Sequence, residues 1–181
     1  STTISNQSGI KVSTIEHLMS ALSGLHIDNL IVYINASEVP IMDGSSKPFV
    51  DLIENIGIKV QNTKRMLLNV KKTIEVKKDN SSAKIIPNNQ FSIDFEIDFP
   101  SHVVSKQSCQ LQLINGNYKT DIAAARTFGF EKDVENLRSN GLALGGSLDN
   151  AVVVGEDKIL NKDGLRYTDE FVRHKILDSI G

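Results

Sequence analysis

A single cysteine, Cys109, among 181 residues excludes an internal disulfide framework and fits a reducing compartment. Long apolar runs are also missing: none approaches the roughly 18 residues of a membrane span, and no charged-then-apolar leader opens the chain. Nor is there an excess of positive charge. With 20 Lys and Arg against 22 Asp and Glu the net charge is -2, without the basic field on which nonspecific nucleic-acid binding relies. Nucleic acid is not an expected partner. The chain also lacks an initiating Met and stops at Ile180-Gly181 inside a helical pattern, so both ends read as cuts. What it does have is a 40% hydrophobic content, enough to build the core of one large domain or two small ones.

Local patterns predict the elements. Ser13, then Glu16, Leu18, Leu22 and Leu25, reads as a capping box opening a helix that closes near Gly24. Leu30 to Ile34 reads as a buried strand, and Val39 to Gly44 ends in a turn signal. A second helix is expected after Ser45 or Ser46, with Pro48 in its first turn, Phe49, Leu52, Ile53 and Ile56 on one side, and Gly57 at its end. Gln61 to Lys64 is the best linker, because helix-rich patterning gives way there to strand-rich patterning. Phe91, Ile93, Phe95, Ile97 and Phe99 alternate with polar residues as in a half-buried strand, and Cys109, Leu111 and Leu113 repeat the alternation. Short helices are expected around Ile122 to Ala125 and from Glu131 to Ser139. Gly141 to Gly146 reads as a tight turn leading to a strand at Ala151 to Val154. A last helix begins near Thr168 or Asp169, with acidic residues in its first turn.

Two spots carry chemistry. Glu16 precedes His17, and His174 lies four residues before Asp178, so on a helix the latter two share one face. Catalytic zinc takes three ligands from His and Asp or Glu and leaves a position for water; His17, His174 and Asp178 supply such a set, with Glu16 left to take a proton from that water. Blander readings stand beside these. Glu16 falls where a capping-box carboxylate would, and a His and an Asp at i,i+4 are common on solvated helix faces. Gly141 to Gly146 lacks the Lys-Ser/Thr of a P-loop. His26 and His102 have no partner at useful spacing and read as surface or turn histidines.

Five segments together resemble one family: Ser13 to Leu22, Val39 to Ser45, Ala125 to Phe130, Gly141 to Ser147, and Asp169 to Lys175. In this order and at this spacing they are similar to the zinc-dependent UDP-3-O-acyl-N-acetylglucosamine deacetylases of lipid A biosynthesis. The resemblance implies an α+β fold of two similar two-layer α/β sandwich domains, with the active site in the cleft between them. By that comparison residues 1–64 belong to a first domain lacking its opening strands. Residues 65–181 belong to a second, which ends before the family's downstream general-acid histidine.

The resemblance further implies that His17, His174 and Asp178 bind Zn2+, that Glu16 is the general base, that Thr127 donates to the developing oxyanion, and that Lys175 is a cation beside the site. It places an insert that forms a passage for the substrate's acyl chain at about residues 134–154, with Leu137, Ala143, Leu148, Ala151 and Val153 as its apolar lining and Phe128 near the sugar. The expected function is hydrolysis of the acetamide of a UDP-linked glycolipid precursor. The expected setting is the cytoplasm of a Gram-negative bacterium, as a monomer with at most peripheral membrane contact. The alternative is a noncatalytic zinc-binding relative or an inactive fragment of the same fold.

Overall fold

The computed structural model describes residues 1–141 and 143–181 as a mixture of helices and short strands, an α+β fold. Strands β1 (Thr3–Ser5) and β2 (Lys11–Ser13) form an antiparallel pair that leads into helix α1 (Glu16–Gly24). The expected capping box is not formed: Ser13 belongs to β2, its hydroxyl accepts from Thr3 Oγ1, and the residue before the helix is Ile15, which has no capping side chain. Strand pairing has taken Ser13 out of capping range.

Residues 30–34, expected as a buried strand, run as exposed coil, with Tyr33 at 92% exposure. Apolar content alone does not make a strand, because its backbone groups need a neighbouring strand to bond, and among the described residues none pairs with this segment. Helix α2 (Lys47–Ile56) has Pro48 in its first turn and ends at Gly57, as expected. Its inward face is Phe49 and Val50; Leu52 and Ile56, predicted to share that face, lie open to solvent.

An exposed hairpin of β3 (Ile74–Lys78) and β4 (Ser81–Ile85) precedes the strongest pair, β5 (Ser92–Asp98) with β6 (Lys106–Gln112). Here the period-two pattern holds, for Ile97 and Cys109 are buried while Asp94, Glu96 and Asp98 are exposed. Helix α3 (Tyr118–Asp121) begins four residues before the helix expected at Ile122, and Ile122 to Ala124 only turn. Strand β7 (Phe128–Phe130) continues through a 3-10 turn (Glu131–Asp133) into helix α4 (Val134–Ser139). Beyond α4, Gly141 and Ala143 both have positive φ, and the Gly146 N–H bonds the Ala143 carbonyl, which makes the expected tight turn; Leu142 lies outside the described residues. Strand β8 (Val152–Val154) then pairs parallel with β7, so the helix and turn form the crossover a parallel pair requires. Helix α5 (Glu170–Ile180) closes the chain, with Glu170 in its first turn.

Among the described residues four two-stranded sheets result. The core lies where α5 packs on α1 and on β5 and β6, and its fully buried members include Val104, Ile122, Val152, Phe171, Val172, Ile176 and Leu177. This packing sets the candidate site, because α1 and α5 carry its three ligating groups. No described helix is long and apolar enough to cross a membrane.

Candidate metal centre

Helix α5 brings His174 and Asp178 onto one face, with Nε2 of the histidine 3.3 Å from Oδ1 of the aspartate. The second residue of α1 completes the group: His17 Nε2 lies 3.7 Å from the same Oδ1, and the two imidazoles meet edge to face with centroids 5.0 Å apart. One ligand atom from each of the three residues fits within 4.8 Å of the others. The helices come this close because their contact is lined by small residues. Ser20 and Ala21 of α1 are fully buried, and a Cβ at Gly181 would overlap the Glu16 carbonyl oxygen.

Protonation decides what the cluster can hold. His174 Nδ1 lies 3.1 Å from the Ala125 carbonyl oxygen, and a carbonyl only accepts, so Nδ1 carries the proton and Nε2 presents its lone pair. Burial pushes the His174 pKa down to about 4 despite the nearby Asp178 carboxylate. Burial likewise lowers that of His17, again against the pull of Asp178. Both rings are therefore neutral at pH 7. Asp178 Oδ1, which faces both, is buried without a hydrogen-bond donor, and His17 Nδ1 is buried without a partner. No hydrogen bond joins Asp178 Oδ1 to either ring, so a buried carboxylate oxygen stands unpaired beside the His174 Nε2 lone pair, which is costly unless a cation is present. Two neutral imidazoles and a carboxylate match the donor set of catalytic zinc.

The remaining expected residues fall around this group in different ways. Glu16, first in α1, is buried and accepts from the Thr2 N–H at 2.9 Å. Thr127 is fixed by its backbone on both sides, donating to Gly44 O and accepting from Val152 N, each at 2.8 Å. Lys175 Nζ lies 3.1 Å from Asp178 Oδ2 and 5.4 Å from the centre of the Phe128 ring, so it is paired with a ligand of the cluster. Phe128 packs edge to face on Phe171 and Phe99 and reaches His174 at 6.5 Å. Of the expected acyl-passage residues, Leu137 on α4, Ala151 and Val153 are half-buried, whereas Ala143 and Leu148 are exposed. His26 and His102 are exposed, the latter beside Asp157.

Two residues escaped notice in the sequence although both lie in the segments compared above. Arg126 and Glu170 form a buried ion pair at 2.9 Å. The available signal was a glutamate one helical turn before His174, on its face of α5.

The whole chain, residues 1–181, matches the family described as LpxC, UDP-3-O-acyl N-acetylglycosamine deacetylase. The chain belongs to this family. A UDP-3-O-acyl-N-acetylglucosamine deacetylase of Shewanella violacea is 50% identical over 182 residues, covering 99% of this chain and 60% of that protein. Its counterpart in Psychrobacter cryohalolentis is 49% identical over 175 residues, covering 96% of this chain and 55% of that protein. That of Chromohalobacter salexigens is 48% identical over 178 residues, covering 97% and 59%. This member of the deacetylase family thus spans somewhat over half the length of the curated relatives it matches. Within that span it holds a His17, His174 and Asp178 group suited to a metal ion.

Proposed function

We propose that the full-length protein hydrolyses the acetamide of UDP-3-O-acyl-N-acetylglucosamine, releasing acetate and UDP-3-O-acyl-glucosamine, with Zn2+ held by His17, His174 and Asp178. The observation that carries this reading is the convergence of two buried histidines and Asp178, whose Oδ1 has no hydrogen-bond donor, beside Glu16 in a chain of the deacetylase family. Zinc bound there would lower the pKa of water from ~15.7 toward ~7 and polarise the acetamide carbonyl. Glu16, next in sequence to a ligand and shielded from solvent, takes the proton as the water oxygen adds to the acetamide carbon. The Thr127 hydroxyl donates to the carbonyl oxygen as it becomes negative, and the Lys175 ammonium adds positive charge on the same side. The C–N bond then breaks as the amine nitrogen takes up the proton that Glu16 received from the water, and acetate is left.

The wider reading follows the same family. The fold divides near residue 64 into two α/β sandwich domains with the site in their cleft, an arrangement supported by the change of patterning at Gln61 to Lys64 and by ligands drawn from α1 on one side and α5 on the other. Residues 134–154, with Leu137, Ala143, Leu148, Ala151 and Val153, line the acyl passage, and Phe128 packs near the sugar. The protein works in the cytoplasm as a monomer.

The deciding experiment measures acetate release from UDP-3-O-acyl-N-acetylglucosamine by the purified full-length enzyme and its Glu16→Gln variant, with zinc content measured in parallel. The variant keeps its zinc and loses about two to four orders of magnitude in kcat, the usual worth of a positioned base. Near-normal turnover would remove Glu16 from the mechanism; no acetate from the wild type would remove the activity.

A further inference from the structure

We propose that Glu170, acting through Arg126, is a positioning residue that holds His174 in its metal-binding tautomer and orientation. The inference rests on the reading of His174 as a metal ligand. Glu170 is wholly buried, and its carboxylate is saturated with donors. Oε1 accepts from the backbone N–H of Arg126 at 3.0 Å and from its Nε at 2.9 Å; Oε2 accepts from Arg126 Nη2 at 3.1 Å and from the Arg166 N–H at 2.6 Å. Arg126 Nη2 also donates to the Gly164 carbonyl at 2.8 Å. Burying such a pair costs desolvation that a well-packed apolar pair would avoid, so the pair is better explained by what it orients than by stability alone.

Its place in the chain says what that is. Glu170 lies one helical turn before His174 on the same face of α5. Arg126 directly follows Ala125, whose carbonyl takes the His174 Nδ1 proton. Two links therefore join the same turn of helix to the same stretch of loop, Glu170 to Arg126 and His174 to Ala125, and close a hydrogen-bonded ring. Arg166 extends the hold by one residue, donating from Nη1 to the Ala124 carbonyl at 3.0 Å and to Asp43 Oδ2 at 2.9 Å. Three successive loop residues, Ala124, Ala125 and Arg126, are thus bonded to the segment 166–174. With the loop fixed, the Ala125 carbonyl cannot swing away, His174 keeps its proton on Nδ1, and Nε2 stays aimed at Asp178 and His17. A metal-bound histidine depends on such an acceptor for tautomer and ring orientation, and losing outer-shell partners typically lowers metal affinity ~10- to 100-fold. Glu170 acts one step further out.

The test uses the full-length protein and two readouts independent of turnover: the zinc Kd from chelator competition, and the NMR signal of the His174 Nδ1 proton in the metal-free state. Glu170→Gln should raise the zinc Kd about tenfold and broaden or abolish the Nδ1 proton signal. Arg126→Lys, which keeps the charge but loses the guanidinium fork, should move both in the same direction and decides the matter if the Gln variant does not fold. Val104→Ala, a truncation in the same core but outside the ring, should lower the melting temperature while leaving both readouts at wild-type values. If the ring variants are less stable yet keep the wild-type Kd and proton signal, or if Val104→Ala weakens zinc as much as they do, the pair serves stability only and the proposal is overturned. A wild type that binds no zinc overturns the metal reading itself, and the proposal with it.

Discussion

At the scale of single residues, the cluster is defined by what its atoms lack. Asp178 Oδ1 and His17 Nδ1 are buried without hydrogen-bond partners, and the Ala125 carbonyl, by taking the His174 Nδ1 proton, leaves the His174 Nε2 lone pair facing Asp178. The i,i+4 spacing of His174 and Asp178 was legible in the sequence, because helical geometry is local. That His17, 157 positions before His174 by subtraction of their numbers, joins them could be suggested by residue type and strengthened by the family resemblance, but no spacing rule links α1 to α5. Nor could spacing reveal the Ala125 carbonyl that sets the tautomer, a backbone contact made by tertiary packing. Replacing any one of the three with alanine in the full-length protein should sharply reduce zinc content, and unchanged metal analysis in all three variants would end the assignment. The metal-free protein carries a second signature. With the folded-state pKa of His174 depressed to about 4, the unfolded chain binds a proton below about pH 6.5 that the folded chain refuses. The stabilising contribution of the neutral, buried ring is thus fully present above pH 6.5 and is lost as pH falls toward 4, amounting to on the order of 3 kcal/mol. Denaturant melts of the metal-free protein across that window should show the loss, and His174→Gln, with no titrating ring, should show less of it.

Elements were legible in proportion to how local their cause is. The alternation at Ser92 to Asp98 and the acidic start of α5 needed nothing beyond neighbouring residues, and both appear where expected. Leu30 to Ile34 and the Ser13 cap failed for the opposite reason, because each depended on what another segment did: the first found no strand to pair with, and the second was claimed by β1. Helix α1 shows the same dependence in its last residue. A Cβ at Gly24 would fall within the ring of Tyr118, which is 2% exposed and donates its hydroxyl to Ser20 Oγ at 2.8 Å. In an open helix, Gly to Ala gains roughly 0.5–1 kcal/mol. Here Gly24→Ala should instead cost about 1–3 kcal/mol, because a buried aromatic must shift. The sign of the change in a denaturant melt separates the two: stabilisation would mean that α1 and Tyr118 are not locked together as the contact requires.

At the scale of the molecule, the proposed substrate raises the question of how a site at the crossing of two helices would receive a long acyl chain. The crossover between β7 and β8 is the segment assigned to that task, and it has the composition for it, with Leu137, Ala151 and Val153 half-buried and Ala143 and Leu148 open to solvent. Apolar side chains left accessible along one connection are what an acyl chain covers on binding, at about 0.8 kcal/mol per buried methylene. Ala143 gives the sharpest probe. It already carries a Cβ at a φ of 52°, so enlarging it to Phe adds bulk with little new backbone strain, and it alters none of Glu16, His17, His174 and Asp178. If the acyl chain runs past this point, overpacking should cost about 1–3 kcal/mol, and kcat/KM for a long-chain substrate should fall about five- to more than a hundredfold. A short-chain analogue ends before Ala143 and should react as with the wild type. The measurement is kcat/KM for both substrates with the full-length enzyme and its Ala143→Phe variant. Equal losses would place the acyl chain elsewhere and leave residues 134–154 as no more than the connection between two parallel strands, whereas a loss confined to the long chain assigns them the passage.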